Sequence, residues 1–284
     1  TSSRSTRTRL PRPSARSATT VLCEKVKFNS KKIRLNIENI INYDSDVKDG
    51  FLDILFVNKN TSLNYKINDS SMSFASEDNK NQYNGEMFFK PFYLNANFNY
   101  DGLSTKNLFS EDTILIDLIK SGILNNKNLN ANFYLNIKDI TNISELNDLN
   151  LNVAVEQGEI GFSNSSIMWK NDLKITLSES LLNNNGEEEI NLIGRITVDF
   201  KDLDNFYRSF QVKKNHRKKI NQIQIDFIYN FNSKNINFDN VKIDKVSNTK
   251  LENYIGNFNK KENRVFNKIT FKNFVYNFFA SYEG

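Results

Sequence analysis

Apolar and polar residues alternate with a period of two along most of the chain, which is the side-chain repeat of a β-strand with one buried face. In segment 190–200, Ile190, Leu192, Ile196, Val198 and Phe200 share one side, and most of the residues between them are polar. Segments 92–100 and 223–231 repeat this pattern. Shorter versions occur at 35–37, 133–137, 149–155, 173–177, 236–238, 241–243 and 269–271. The pattern predicts at least nine strands.

The segments between these strands are rich in Asn, Asp, Ser and Gly, which favour turns. Strands that follow one another through short turns indicate an antiparallel sheet. We therefore expect a mainly all-β fold whose sheet has one apolar and one solvated face. Such a sheet either folds into a closed β-sandwich or curves strongly into a long apolar groove.

Few segments have helical spacing. Ser110 is a plausible N-cap for a short amphipathic helix near 111–124, which ends around Gly122. A further short helix is expected near 202–209. At the C-terminus, one apolar stripe includes Leu251 and Ile255, and a second, aromatic stripe is formed by Phe274, Val275, Phe278, Phe279 and Tyr282.

Composition changes this picture at the N-terminus. Residues 1–22 hold Arg4, Arg7, Arg9, Arg12 and Arg16, with no acidic residue before position 23, and the formal net charge of the chain is +5. The remainder is therefore charge-balanced, and it is rich in Asn and Lys. A Ser/Thr/Arg-rich stretch with few apolar residues cannot bury enough surface to order itself. We expect residues 1–22 to be a disordered tail and residues 23–284 to form one β-domain.

Composition also argues against several classes of function. The single Cys23 cannot form an intramolecular disulfide, and the single His216 disfavours a histidine-based metal site or a catalytic triad. We expect no catalytic residues, no metal and no cofactor, so the protein is not expected to be an enzyme. No stretch approaches the roughly 18 apolar residues of a membrane-spanning helix.

A basic cluster separates two of the strongest strand patterns. Its members, which we take as candidates for contact with anionic head groups, are Lys213, Lys214, Arg217, Lys218 and Lys219. Because no aromatic residue is interleaved to stack on bases, nucleic acid is not expected as a partner. A simple solvated loop remains the alternative interpretation.

The order of several short segments resembles that of a known family. The segments are the helix 114–124 followed by the strand 129–137, Leu-Asn-Leu-Asn-Val at 149–153, Gly-Glu-Ile-Gly-Phe at 158–162, the strand 192–200, Asp-Asn-Phe-Tyr at 204–207, the strand 223–227 and Phe-Ala-Ser-Tyr-Glu-Gly at 279–284. Together, from Leu94 to Gly284, they resemble the C-terminal region of bacterial AsmA-like proteins, relatives of TamB and of bridge-like lipid-transfer proteins. The resemblance covers about two-thirds of the chain.

The resemblance implies a periplasmic protein anchored to the inner membrane by an N-terminal helix, with a role in outer-membrane biogenesis and in phospholipid transport between membranes. It also implies outer-membrane assembly proteins as possible partners. Since this sequence has no such helix, we expect a fragment of a larger protein.

The expected ligands are phospholipid acyl chains, held along one face of the sheet. The candidate groove residues are Leu192, Ile196, Val198, Phe200, Ile225, Phe227, Tyr229, Leu173, Ile175, Leu177, Phe133 and Leu135. The same residues would equally serve as an ordinary closed core. The alternative function is a closed β-sandwich that acts as an interaction or adhesion module.

Overall fold

The computed structural model describes residues 4–8, 21–29, 33–42, 47–56, 59–76, 81–104, 123–141, 143–184, 190–233, 235–259 and 268–282. The fold is mainly β, with a few short helices towards the C-terminus, as expected from the sequence. The chain divides into two compact units. Unit 1 comprises residues 1–137 with 155–158, and unit 2 comprises residues 138–154 with 159–284. The expected division into a tail of residues 1–22 and a β-domain of residues 23–284 stays a prediction.

Unit 1 is built from strands that pair mostly with their neighbours in sequence. They are β1 (Arg4–Thr8), β2 (Val21–Asn29), β3 (Ile33–Asn42), β4 (Lys48–Phe56), β5 (Lys59–Ile67), β6 (Ser71–Ser76), β7 (Asn81–Phe89), β8 (Phe92–Leu103) and most of β9 (Asn130–Ile140). From β2 to β8 each strand is antiparallel to the next. This is the meander that the short polar turns predict.

One row of side chains across unit 1 places two aromatic residues between two glycines. Gly50 is paired with Tyr65, Tyr65 with Phe74, Phe74 with Gly85, and Gly85 with Ala96. A β-carbon on Gly50 would lie 2.1 Å from the ring of Tyr65, and one on Gly85 would lie 2.5 Å from the ring of Phe74. The rings therefore occupy the space above the glycines.

Unit 2 contains most of β10 (Leu146–Glu156) and the strands that follow it. These are β11 (Glu159–Phe162), β12 (Ser165–Trp169), β13 (Leu173–Asn184), β14 (Ile190–Phe200), β15 (Gln222–Asn230), β16 (Asn235–Ile243) and β17 (Val246–Ser247). From β12 to β17 each strand is antiparallel to the next. Asp244 and Lys245 have φ values of 48° and 71° between β16 and β17, as a two-residue type I′ hairpin turn requires.

Three α-helices belong to unit 2: α1 (Leu203–Ser209), α2 (Thr249–Asn259) and α3 (Lys268–Ser281). The carboxylate of Asp202 caps α1 by accepting a 2.9 Å hydrogen bond from the backbone N–H of Asn205. The amide oxygen of Asn248 accepts 3.1 Å bonds from the backbone N–H groups of Lys250 and Leu251, which satisfies the start of α2. The helices predicted near 202–209 and at the C-terminus are therefore confirmed.

The helices cover the apolar face of the strands in unit 2. Phe206 of α1, Leu251 and Ile255 of α2, and Phe278 and Phe279 of α3 are buried in one cluster with residues of β13 to β16. Among the described residues of this unit, the sheet thus packs against helices and not against a second sheet. From the sequence we expect only a sandwich or a groove, because helical spacing in a sequence does not show how many strands each helix covers.

Two shorter predictions were wrong. The pair Ile269 and Phe271 lies in α3 and not in a strand, because two apolar residues spaced by two occur in either structure. The two strands expected at 236–238 and 241–243 are the single strand β16, which passes through Asn240 at a positive φ of 47°. An asparagine tolerates that backbone conformation at little cost.

Two further expectations fall wholly or partly outside the described residues. Most of the helix predicted near 111–124 lies outside the described residues, and a 3₁₀ turn at Ile123–Asn125 is the part described there. Within the tail expected to be disordered, Arg4–Thr8 forms β1 and is paired with β2. Disorder in the rest of residues 1–20 stays a prediction.

Candidate apolar ligand site

A cavity of about 180 Å³ lies in unit 2 between the sheet and the helices, and its lining is entirely apolar. Six of the twelve candidate groove residues form the strand side of its wall: Leu173, Ile175, Ile196, Val198, Phe200 and Ile225. The helix side is aromatic and includes Phe206 and Phe210, which follow one another at a spacing of four on and just after α1. This cavity is the strongest candidate for a ligand site.

Strand register explains why the candidate residues come together. Ile175, Val198 and Ile223 are direct neighbours on three adjacent strands, and Leu177, Ile196 and Ile225 form the next row in the same way. Residues directly opposite each other on antiparallel strands project to the same face. The alternation along each strand therefore places all of these side chains towards the helices.

The helical side of the cavity is held by contacts between aromatic rings. The ring centroids of Phe206 and Phe210 are 4.5 Å apart, and the ring of Phe279 lies 6.0 Å from that of Phe206. Trp169 of β12 contacts both Phe210, at 5.4 Å, and Phe271, at 5.9 Å. In α3, Phe271, Phe274, Phe278 and their neighbours present one apolar side to the cluster.

The sequence leaves an open groove and a closed core equally possible for the candidate residues, and in the structure most of those in unit 2 are covered. Leu173, Ile225 and Phe227 are buried, with 3%, 8% and 6% of their surface exposed. Leu177, Leu192 and Tyr229 are half-buried and pack against the same cluster. The cause is the helical layer, whose aromatic side chains fill most of the space above the sheet and leave only the cavity.

Phe133 and Leu135 are not part of this site. They lie on β9 in unit 1, are half-buried, and do not belong to the apolar cluster of unit 2. Their period-two pattern is the same as that of the other candidates, so alternation alone could not assign them to a different unit.

The five basic candidates lie in an ordered segment that follows α1, which we call the basic loop (residues 211–220). Lys213, Lys214 and Lys219 are exposed, whereas Arg217 and Lys218 are half-buried. The hydroxyl of Tyr207 donates a 2.6 Å hydrogen bond to the carbonyl of Lys218 and accepts a 3.2 Å bond from its backbone N–H. Burial raises the pKa of Tyr207 to about 12, so this hydroxyl is neutral at physiological pH.

The opposite face of the sheet in unit 2 carries charged and apolar residues. Arg195 of β14 forms a 2.7 Å salt bridge with Asp226 and a 2.9 Å salt bridge with Glu179. Burial alone would raise the pKa of Asp226, but hydrogen bonds from Arg195 and Asn240 outweigh it and hold that pKa below its usual value. An ionised carboxylate held by a permanently charged guanidinium is suited to fixing strand register and not to proton transfer.

The described residues contain no group of three or more His, Cys, Asp or Glu side chains placed to hold a metal ion. No helix in this part of the chain is both long enough and apolar enough to cross a bilayer. Comparison of the chain with protein-family models, with curated proteins and with solved structures finds no match in any of the three.

Sequence reasoning missed several residues of the site. Trp169 stands at the end of a five-residue strand that has little alternation, so no pattern marked it as a wall residue. Phe206 and Phe210 could have been found, because their spacing of four places both on one side of a helix. Tyr207 could not have been found from the sequence, since only the folded chain brings its hydroxyl to the backbone of Lys218.

Proposed function

We propose that this chain is a non-enzymatic, lipid-handling domain of an AsmA-like protein. In this proposal it belongs to a periplasmic protein that is anchored to the inner membrane and serves outer-membrane biogenesis by passing phospholipid between membranes. Its direct ligand is a phospholipid acyl chain. The observation that carries the proposal is the wholly apolar cavity between β13, β14, β15 and the aromatic sides of α1 and α3.

The size of the cavity decides how much of a lipid it takes. An apolar cavity of about 150 Å³ stays dry and binds a benzene-sized molecule. At about 180 Å³, this cavity has room for the end of an acyl chain and not for a whole phospholipid. The polar head group would remain outside, because no polar atom of the lining is exposed to the cavity.

The test fills the cavity and measures binding of a fluorescent fatty acid to the full chain. Val198 lies in the middle of a cross-strand row on the cavity wall, so Val198→Phe places a ring in the cavity. We expect binding to weaken by at least about tenfold, since the added ring competes for the volume that the chain end occupies. Lipid extracted from the purified wild-type protein and identified by mass spectrometry gives a second measurement.

The matched control is Ile193→Phe on the same strand. Ile193 projects to the opposite face and is 40% exposed, so a ring there leaves the cavity unchanged. The proposal fails if wild type neither binds the fatty acid nor carries lipid, or if folded Val198→Phe binds as tightly as wild type does.

A further inference from the structure

We propose that the basic loop docks unit 2 onto an anionic phospholipid surface. This inference rests on the proposed lipid-handling function only for the choice of partner. The conformation and the charge of the loop do not depend on that function.

The basic loop is held in one conformation from both ends. Val212 and Ile220 are 1% and 2% exposed, so the loop enters and leaves through the apolar core. In the middle, the Nε of Arg217 donates a 2.9 Å hydrogen bond to the carbonyl of Val212, and Tyr207 holds the backbone of Lys218. A loop with these anchors loses little additional backbone entropy when its charged side chains meet a surface.

The charge of the loop is concentrated, and its cations form no salt bridge with the described residues. Five Lys and Arg residues occur within the seven positions 213–219, and no acidic residue lies among them. Within the described part of the chain none of these five side chains forms a salt bridge, whereas Arg195 on the sheet forms two. An extended anionic surface is the partner that contacts several such cations at once.

Two observations favour a lipid surface over nucleic acid. The loop has no Phe, Tyr or Trp between positions 211 and 220, the large rings on which bases stack best, and His216 is its one ring. In addition, the helix that leads directly into the loop contributes Phe206 to the cavity wall, and Phe210 follows on that wall one residue before the loop begins. The cationic surface and the acyl-chain site therefore share one short segment, as a protein that takes a chain from a charged membrane requires.

The experiment compares two triple variants of the full chain. Lys213→Gln, Lys214→Gln and Lys219→Gln remove the exposed charges of the loop and leave Arg217 and Lys218 in place. The control, Lys174→Gln, Lys242→Gln and Lys245→Gln, removes three exposed charges from strands and a turn of the same unit. Both variants have the same net charge, and both keep the arginines of residues 1–22.

Binding is measured by co-sedimentation with vesicles of phosphatidylcholine alone or of equal parts of phosphatidylcholine and phosphatidylglycerol. We expect wild type and the control to bind the anionic vesicles and not the neutral ones. Since each Lys near an anionic surface contributes about 1 kcal/mol, the loop variant should bind on the order of 100-fold more weakly. Added salt should weaken the binding of wild type.

Three outcomes would overturn the docking proposal. These are equal binding by the loop variant and wild type, an equal loss in both triple variants, or binding of wild type to single-stranded RNA but not to anionic vesicles. Fatty-acid binding separates this proposal from the proposed function. The loop variant should retain it, and Val198→Phe should lose it while still binding vesicles.

Discussion

At the scale of single residues, Gly194 is among the most tightly constrained positions in unit 2. A β-carbon there would lie 2.0 Å from the Oγ of Ser180 and 2.7 Å from its Cβ. Ser180 is buried at the bulge of β13, where its hydroxyl donates a 2.7 Å hydrogen bond to the carbonyl of Ser178. Neither strand can therefore move aside without breaking its pairing.

We expect Gly194→Ala to lower the free energy of unfolding by about 1–3 kcal/mol, the usual cost of overpacking. The matched control is Gly256→Ala, because a β-carbon on this helical glycine meets nothing within 4 Å. That control should raise stability by about 0.5–1 kcal/mol, since alanine restricts the unfolded chain and favours helix. Urea unfolding measures both values.

A double variant makes the cause of the change specific. Ser180→Gly removes both of the side-chain atoms that collide, so it should partly rescue Gly194→Ala in a double-mutant cycle. If the two changes were simply additive, the contact with Ser180 would not be the reason for the loss.

The sequence predicted which residues share a face better than it predicted what covers that face. Alternation placed Ile196, Val198 and Ile225 together because a strand has a fixed period of two. It contained no information about Trp169 or Tyr207, whose roles depend on contacts between residues far apart in sequence. Open groove and closed core also have the same pattern, so the helical layer could not be inferred from the strands.

At the scale of elements, the basic loop depends on one side chain of α1. Tyr207 is 1% exposed, and its hydroxyl both donates to and accepts from the backbone of Lys218. Because this hydroxyl is buried, removing it leaves a carbonyl and an N–H without their partner.

We expect Tyr207→Phe to raise hydrogen exchange of backbone amides in residues 211–220 and to cost about 1–3 kcal/mol of stability. Tyr254→Phe is the comparison, since its hydroxyl donates a 3.1 Å bond to the carbonyl of Phe274 in α3, away from the loop. It should lower stability without changing exchange in the loop. Similar loop exchange in the two variants would show that Tyr207 does not hold this segment.

Long alternation predicted most strand ends, although β8 continues to Leu103, past the expected end at residue 100. Strand β14 begins and ends at the residues that the sequence indicates, Ile190 and Phe200, and β15 ends within one residue of its expected limit. Short patterns failed for a physical reason: the residues 269–271 fit a strand and the start of α3 equally well.

At the scale of the whole molecule, several buried and half-buried tyrosines make stability depend on alkaline pH. Burial raises the pKa of Tyr207 and of Tyr254 to about 12, and it also raises the pKa of Tyr65 and of Tyr100. The charge of neighbouring Tyr83 and a hydrogen bond with it raise the pKa of Tyr100 further. In the unfolded chain a tyrosine ionises near pH 10.

The folded state therefore keeps protons that the unfolded state has already released. This contribution to stability is complete below about pH 10 and is lost as the pH rises towards 12. We expect urea midpoints to fall across this range and tyrosinate absorbance of the folded protein to develop late. Tyr254→Phe should reduce the slope, and an unchanged slope would contradict the assignment to this residue.

The row of glycines and rings in unit 1 restricts the order in which this sequence can diverge. Tyr65 occupies the space that a β-carbon on Gly50 would need, and it is 7% exposed, so its ring has little room to swing away. Any larger residue at position 50 collides with this ring until position 65 has first become smaller, whereas the reverse order leaves a cavity but no collision. Substitutions at these two positions are thus expected in one order, with Tyr65 replaced before Gly50.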